Sequence, residues 1–194
     1  MSVTKLEIEK VLKKLSEQFK NPGGMVVGGP YKTLVGVILS ARTRDEQVLK
    51  LLPNLFKVYP NVEAMAGASV SEIQSMINTI GMYKQKAKNL KKMADTVVKD
   101  FNGKIPDNID DLVLLAGVGR KTASVVLVAC FNKPAIAVDT HVYRVTNRMG
   151  WVNTKTPLHT ESSLLKLVPK KSHDLINRVF VKFGRYICIP SKPR

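Results

Sequence analysis

Two side chains of this sequence, those of Lys121 and Asp139, stand where amine and carboxylate chemistry is expected. Lys121 lies just before the apolar segment 123–131, so we expect it in the first turn of a buried helix. The positive end of the helix macrodipole disfavours a second positive charge there, and partial desolvation acts in the same direction. Both effects favour a neutral amine, which can attack an electrophilic carbon and form a Schiff base. The alternative is a lysine that only contacts phosphate.

The residues before this lysine, Gly117, Val118, Gly119 and Arg120, predict a tight turn between two helices. Glycines permit positive φ angles and let another backbone come near. Exposed amides in the turn and at the start of the next helix form an anion pocket suited to a DNA phosphate. The pattern is typical of a helix-hairpin-helix, which holds DNA without reading its sequence. A purely structural corner between two helices is the alternative for the triplet alone.

Asp139 ends an apolar approach, 135–138, and precedes a predicted helix whose inward residues include Val142 and Val145. Taken alone, an aspartate at such a place is a good helix N-cap. A cap carboxylate at the mouth of a cleft can also stabilise a developing oxocarbenium ion or assist a proton transfer. We interpret the nearby His141 as a packing or hydrogen-bonding residue rather than as a catalyst.

The elements that must position these residues are predicted to be helices throughout, so the fold class is all-α. Apolar residues recur with helical spacing along most of the chain, and two capping boxes are expected, at Thr4–Glu7 and Ser69–Glu72. We expect Gly81 to end the second of these helices. The segments 34–39 and 123–131 are apolar on all sides, and their charged flanks favour buried helices over strands.

The composition favours a polyanionic partner. The 194 residues contain 31 Lys and Arg against 15 Asp and Glu, a net charge of +16. A merely basic soluble protein is the alternative. No apolar run approaches the roughly 20 residues needed to span a bilayer, so no membrane association is expected. Two cysteines, Cys130 and Cys188, do not make a disulfide framework, and a cytoplasmic location is expected.

Six short motifs closely resemble the endonuclease III family of helix-hairpin-helix DNA glycosylases. They run in family order over nearly the whole chain, and together they are highly specific. The motifs are residues 39–41, 79–83, 86–87, 115–123, 137–145 and 183–188.

The resemblance implies that Lys121 is the Schiff-base nucleophile and Asp139 the catalytic carboxylate, in a cleft between two helical domains. One domain is expected at 22–133, and the other joins 1–21 to 134–194. The implied activity is removal of oxidised pyrimidines followed by β-elimination at the abasic site. The implied partner is double-stranded DNA with a damaged base or an abasic site, bound by a monomer in the cytoplasm, in association with the nucleoid.

The resemblance also implies further contacts with DNA. Family members flip the damaged nucleotide out of the duplex, and the residues that fill the gap correspond here to Arg42 and Met82. A methionine suits an apolar wedge, although a core residue at the surface edge is the alternative for Met82. Arg144 and the turn residues 117–120 are also expected to bind DNA.

The sequence departs from the family at the cysteines. Members usually carry four cysteines that hold a 4Fe-4S cluster, and Cys188 stands at the first of these positions. Cys130, the other cysteine, belongs to a predicted buried helix, so four thiolates cannot come together. We therefore expect no cluster, no metal and no other cofactor in this chain. Two other functions stay open beside the bifunctional enzyme. These are a monofunctional mismatch or uracil glycosylase, and a non-catalytic helix-hairpin-helix protein that binds damaged DNA.

Overall fold

A computed structural model describes residues 3–19, 25, 27–191 and 193 of the chain. Within these residues the regular secondary structure is helical and no strand occurs, which confirms the all-α prediction. Every helix in the same ranges is too short or too polar to cross a lipid bilayer. In chain order the α-helices of the described residues are α1 (Lys5–Gln18), α2 (Gly29–Ser40), α3 (Asp45–Val58), α4 (Val62–Gly67), α5 (Val70–Ile77), α6 (Tyr83–Phe101), α7 (Ile109–Leu112), α8 (Arg120–Phe131), α9 (Thr140–Arg148), α10 (Pro157–Leu167) and α11 (His173–Tyr186).

The chain divides into two compact units. One, called here the Lys121 unit, is Met25–Phe131, and the other, the Asp139 unit, joins Met1–Gly24 to Asn132–Arg194. The sequence prediction put the second junction between residues 133 and 134, two residues after its position in the structure. The predicted first junction, at residues 21 and 22, lies outside the described residues.

The Lys121 unit is built around the buried helices α2 and α8 and the amphipathic helix α6. α6 turns its apolar face toward α4 and α5, and α8 packs against α2. The segments 34–39 and 123–131 lie in α2 and α8, so the prediction of buried helices at both places is confirmed. Their burial removes apolar surface from water, which stabilises the unit by about 25 cal/mol per Å². The buried residues of α8 begin at Ala123, so the first turn of this helix is held in the unit.

Local capping signals are read correctly from the sequence at two helices. The backbone N–H of Thr4 donates to Glu7 at 2.8 Å, and that of Ser69 donates to Glu72 at 2.7 Å, so both capping boxes are confirmed. The predicted end of α5 at Gly81 is wrong, because the helix ends at Ile77. Beyond that point the chain tightens, and the N–H of residue 80 donates to the carbonyl of Ile77 at 3.2 Å.

The Asp139 unit packs α11 against α1 and α9. Phe180 of α11 is fully buried, and its ring lies 5.2 Å from that of Trp151, centroid to centroid. The predicted inward residues Val142 and Val145 of α9 are both buried in this core. The start of α9, where Asp139 stands, is therefore fixed by the core beneath it.

Candidate active site

The hairpin turn, residues 113–119, connects α7 to α8 in the Lys121 unit. Leu115 and Val118 are buried, and the N–H of Val118 donates to the carbonyl of Leu115 at 3.0 Å. These two apolar side chains anchor the turn from below. Gly117, Gly119, Arg120 and Lys121, which separate and follow them, are exposed.

The two glycines of the hairpin turn do different things. Gly117 has a φ of +80°, and a Cβ added there would lie 2.9 Å from Nδ2 of Asn89, a residue of α6. This position therefore requires glycine for both its backbone conformation and a close neighbour. The prediction that both glycines serve positive φ and close approach is wrong for Gly119. Its φ is not positive, and a Cβ there would meet nothing within 4 Å.

Lys121 lies in the first turn of α8 and is exposed, as Arg120 is. The turn is ordered by the hydroxyl of Ser124, which donates to the carbonyl of Arg120 at 2.9 Å. The N–H of Ala123 donates to the carbonyl of Gly119 at 2.9 Å and so begins the helix. The amides before it belong to the helix N-terminus, where the positive end of the macrodipole favours an anion.

Asp139 is the N-cap of α9, as its position in the sequence predicts. Its Oδ1 accepts hydrogen bonds from the N–H groups of His141 and Val142, each at 2.9 Å. The chain that leads to it is held by the side-chain amide of Asn177, which donates to the carbonyl of Ala137 at 2.8 Å. The half-buried carboxylate is thus fixed both by the helix it caps and by the chain before it. Lys121 and Asp139 belong to different units.

Arg144, a predicted DNA-binding residue, makes several internal contacts. Its Nε donates to the carbonyl of Cys188 at 2.9 Å, and a terminal nitrogen donates to the carbonyl of Gly184 at 2.7 Å. His141 lies 3.2 Å from the same guanidinium, in agreement with a packing and hydrogen-bonding role for this histidine. This geometry favours a structural role for Arg144, and its contact with DNA stays a prediction.

Arg42 and Met82, the predicted gap-filling residues, are both exposed on loops of the Lys121 unit. Arg42 lies on the loop between α2 and α3, and Met82 is the N-cap of α6. Both residues have left-handed backbone conformations, with φ angles of 56° and 58°. The side chain of Met82 makes no hydrogen bond as a cap, and the residue is 53% exposed, as a wedge would be.

Lys86 is a residue whose role the sequence reasoning missed. It is only 4% exposed, and its Nζ donates to the carbonyl of Leu39 at 2.7 Å and to Oγ1 of Thr43 at 2.5 Å. Burial lowers the pKa of Lys86 from its ordinary value. The signal was available, since Lys86 has the helical spacing of the buried residues Leu90 and Val97 rather than that of the wet face.

The cysteines do not fit a 4Fe-4S cluster, which needs four protein ligands, usually thiolates. Cys188 is buried in the Asp139 unit, with its sulfur 3.6 Å from a guanidinium nitrogen of Arg148. Cys130, the second cysteine of the sequence, lies on α8 in the Lys121 unit. Among the described residues, no group of three or more His, Cys, Asp or Glu side chains is arranged to hold a metal ion.

The short helix α7, the hairpin turn with its glycines and the buried helix α8 have the arrangement of a helix-hairpin-helix. The model of the HhH-GPD superfamily, described as base excision DNA repair proteins, matches residues 35–170. Endonuclease III of Thermotoga maritima is 41% identical over 186 residues, which are 96% of this chain and 86% of that protein. Endonuclease III of Bacillus subtilis is 38% identical over 190 residues, 97% of this chain and 87% of its own length.

Two solved structures resemble this chain in fold and in sequence. A trapped endonuclease III–DNA covalent intermediate matches with a TM-score of 0.84 and 35% identity, over 99% of this chain and 91% of the other. A thermostable thymine-DNA glycosylase matches with a TM-score of 0.81 and 28% identity, over 97% and 89%. The chain belongs to the endonuclease III family of DNA-repair enzymes. It is a base-excision-repair DNA glycosylase and abasic-site lyase.

Proposed function

We propose that the chain removes oxidised pyrimidines from double-stranded DNA and then cleaves the strand at the abasic site, with Lys121 as the Schiff-base nucleophile. The observation that carries this proposal is an exposed lysine in the first turn of α8, directly after the hairpin turn. A phosphate held by the turn would bring the neighbouring sugar to the amine. The endonuclease III relatives, one of them solved as a covalent intermediate with DNA, support the same chemistry.

The proposed reaction begins when the neutral Nζ of Lys121 attacks C1′ of the flipped nucleotide. The glycosidic bond breaks, and the base leaves with the bonding electron pair and gains a proton. Loss of a proton from nitrogen and opening of the sugar ring give a Schiff base. Removal of a proton from C2′ then expels the 3′ phosphate by β-elimination. Asp139 is proposed to stabilise positive charge on the sugar in the first step.

Binding is proposed to rest on phosphate contacts at the hairpin turn, with Arg120 beside it, and on the +16 net charge. Arg42 and Met82 are proposed to fill the gap left by the flipped nucleotide, because both project from exposed loops of the Lys121 unit. We further propose that the protein acts as a monomer, in the cytoplasm and on the nucleoid.

Borohydride trapping on DNA with a defined abasic site tests the nucleophile. Wild-type protein should become covalently attached, and Lys121→Gln should lose attachment by at least about a thousandfold, because an amide cannot form a Schiff base. Lys99→Gln, an exposed lysine at the far end of α6, is the matched control and should trap as wild type does. Trapping that survives in Lys121→Gln would overturn the proposal.

Two substitutions separate the capping role of Asp139 from its chemistry. Asparagine is as good an N-cap as aspartate, so Asp139→Asn should keep the stability of wild type while base removal falls by about a hundredfold or more. Asp139→Ala should lose the same activity and, in addition, about 1 kcal/mol of stability. If Asp139→Asn removes the base at the wild-type rate, the carboxylate is a cap alone.

A monofunctional mismatch or uracil glycosylase is the contrasting activity that the sequence left open, and a thymine-DNA glycosylase is among the similar solved structures. A panel of duplexes, each with one defined lesion, separates the two candidates when cleavage is measured with and without alkali. The bifunctional enzyme cuts the strand without alkali, and the monofunctional one only with it. A non-catalytic DNA-binding protein would show salt-dependent affinity and no release of base.

We also propose that this chain functions without a 4Fe-4S cluster, because its two cysteines cannot supply four thiolates and lie in different units. Purified protein should contain no stoichiometric iron by mass spectrometry and no cluster band in visible absorbance. It should nevertheless trap abasic DNA. Stoichiometric iron and sulfide would refute this part of the proposal.

A further inference from the structure

Lys86 is a buried cation that contacts two separate parts of the Lys121 unit. Burying an ammonium group is costly unless its donors find acceptors. Here Nζ reaches the carbonyl of Leu39 at 2.7 Å and Oγ1 of Thr43 at 2.5 Å. Leu39 belongs to the last turn of α2, where carbonyl oxygens lack helical partners and carry the negative end of the macrodipole. The ammonium group therefore closes the C-terminus of α2.

The same side chain starts from the first turn of α6. The backbone N–H of Lys86 donates to the carbonyl of Met82 at 3.0 Å, so the lysine is tied to the residue that begins this helix. Its other end is tied to Thr43, the neighbour of Arg42 in sequence. The bond to Met82 is the ordinary main-chain bond of an α-helix. The side chain itself bonds to Leu39 and Thr43, so it connects the loop that carries Arg42, residues 41–44, with the first turn of the helix that Met82 caps.

The backbone at these two positions is strained. Four non-glycine residues among those described have a left-handed φ, and two of them, Asn102 and Asn132, are asparagines, which tolerate this conformation. Arg42 and Met82 are the other two, and neither residue type favours it. A left-handed conformation costs such residues roughly 1–2 kcal/mol and persists where the surroundings impose it. The side chain of Lys86 bonds to Thr43, next to Arg42, and belongs to a residue four positions after Met82, so it limits the movement of the two positions relative to each other.

We propose that Lys86 is a positioning residue that holds Arg42 and Met82 at a fixed spacing and in their left-handed conformations, so that both enter the duplex together. The inference rests on the proposed gap-filling roles of these two residues. Without the hydrogen bonds of the Lys86 side chain, each loop relaxes separately. The side chains of Arg42 and Met82 then no longer stabilise the opened duplex at the same time. A lysine suits the task better than an apolar residue because its side chain, which starts in the first turn of α6, donates to acceptors at the end of α2 and at Thr43.

The experiment compares two reactions of each variant. Release of a damaged base from a fully paired duplex requires the duplex to be opened, whereas cleavage at a preformed abasic site in single-stranded DNA does not. Lys86→Met removes both hydrogen bonds at similar volume, and Lys99→Met makes the same charge change at an exposed site of α6. Thr43→Val removes one acceptor, and Thr43→Ser keeps it.

Base release from the duplex should fall roughly tenfold to a hundredfold in Lys86→Met, since small misplacements of positioning groups have effects of that size. Cleavage of single-stranded abasic DNA should change less than about threefold. Thr43→Val should show a smaller loss of the same kind, and Thr43→Ser and Lys99→Met should behave as wild type. The fluorescence of a 2-aminopurine opposite the lesion, which reports unstacking, should rise less with Lys86→Met than with wild type.

The outcomes separate this inference from the proposed function. Absence of base release and trapping in the wild-type protein overturns the proposed function itself. If wild type is active and Lys86→Met loses both reactions equally, or loses neither, Lys86 is not a positioning residue. If Lys86→Met does not fold, the pair Thr43→Val and Thr43→Ser decides in its place, because equal duplex activity of the two overturns the proposal.

Discussion

The turns that precede α8 and α6 each contain a residue with a left-handed backbone conformation, but the residue types differ. The hairpin turn places its left-handed conformation at Gly117, where no side chain opposes it. The turn before α6 places the same conformation at Met82, a residue that does not favour it. At the hairpin turn the main chain is proposed to contact phosphate, so a side chain is not needed. At Met82 the side chain itself is proposed to act, so glycine is not available.

The two turns differ accordingly in what holds them. Gly117 lies against Asn89, and the turn is anchored from below by the buried side chains of Leu115 and Val118. Met82 is exposed, and its carbonyl accepts the N–H of Lys86, whose side chain joins the first turn of α6 to the end of α2. Where function needs a side chain at a strained position, a neighbouring residue must hold the backbone in that conformation. Substitution of the neighbour should then affect activity as well.

The largest effect on stability is expected when Gly117 of the hairpin turn is replaced. Gly117→Ala puts a Cβ at a φ of +80° and 2.9 Å from Asn89, and the unfolding free energy should fall by about 2 kcal/mol. Gly119→Ala is the matched control, since its Cβ meets open space, and should change stability by less than about 0.5 kcal/mol. Urea denaturation measures both. Equal stability of the two variants would remove the distinction between these glycines.

The next effect concerns Arg42, whose side chain is carried by a left-handed backbone as that of Met82 is. A guanidinium can donate to guanine acceptors, so Arg42→Gln should lower base release opposite guanine by about tenfold relative to the other three partners, which is 1.4 kcal/mol. The measurement is single-turnover base release opposite each of the four bases. A variant whose preference equals that of wild type would show that Arg42 fills the gap without reading the opposite base.

Relief of strain at Met82 should separate stability from activity. Asparagine tolerates the left-handed conformation, and Met82 is 53% exposed, so Met82→Asn should gain up to about 1 kcal/mol of stability. Base release from a paired duplex should fall at the same time, because the apolar wedge is lost. Thermal unfolding and duplex cleavage measured on the same preparation test this. A less stable variant would mean that packing, rather than strain, decides at this position.

The smallest effect concerns pH. Burial lowers the pKa of Lys86 below its ordinary value of 10.5. In the interval between the two values the unfolded chain holds the proton and the folded chain does not, so the unfolding free energy of wild type rises with pH. Lys86→Met lacks this rise. Wild type should therefore gain stability relative to the variant as the pH rises toward 10.5, and a constant difference in urea denaturation would contradict this.

What the sequence predicts well here is local. The capping boxes at Thr4 and Ser69 and the buried helices α2 and α8 depend on residues a few positions apart, so spacing alone indicates them. The N-cap role of Asp139 is likewise decided by the residues that follow it. The end of α5 was misplaced because Gly81 resembles a helix stop, whereas the chain leaves the helix at Ile77.

What it misses depends on residues far apart in the chain. The steric need for glycine at position 117 comes from Asn89 on another helix, and no spacing rule separates Gly117 from Gly119. The partners of Lys86 lie more than forty residues before it, so its helical register predicts burial without predicting a task. Arg144 carried a DNA-binding prediction, and its contacts with α11 and Cys188 become visible only after folding.

The two arginines of α9 have a consequence for how the end of this fold can vary. Arg144 and Arg148 donate to main-chain carbonyl oxygens between residues 184 and 190. Such acceptors are present whatever the side chains are, so substitutions at residues 188–190 leave the acceptors in place. Gly184 is the exception, because a Cβ there would lie 3.1 Å from a terminal nitrogen of Arg144. Over evolutionary time residues 188–190 can therefore change more readily than Gly184 or the two arginines, and lineages that have changed Cys188 should still retain both guanidinium groups.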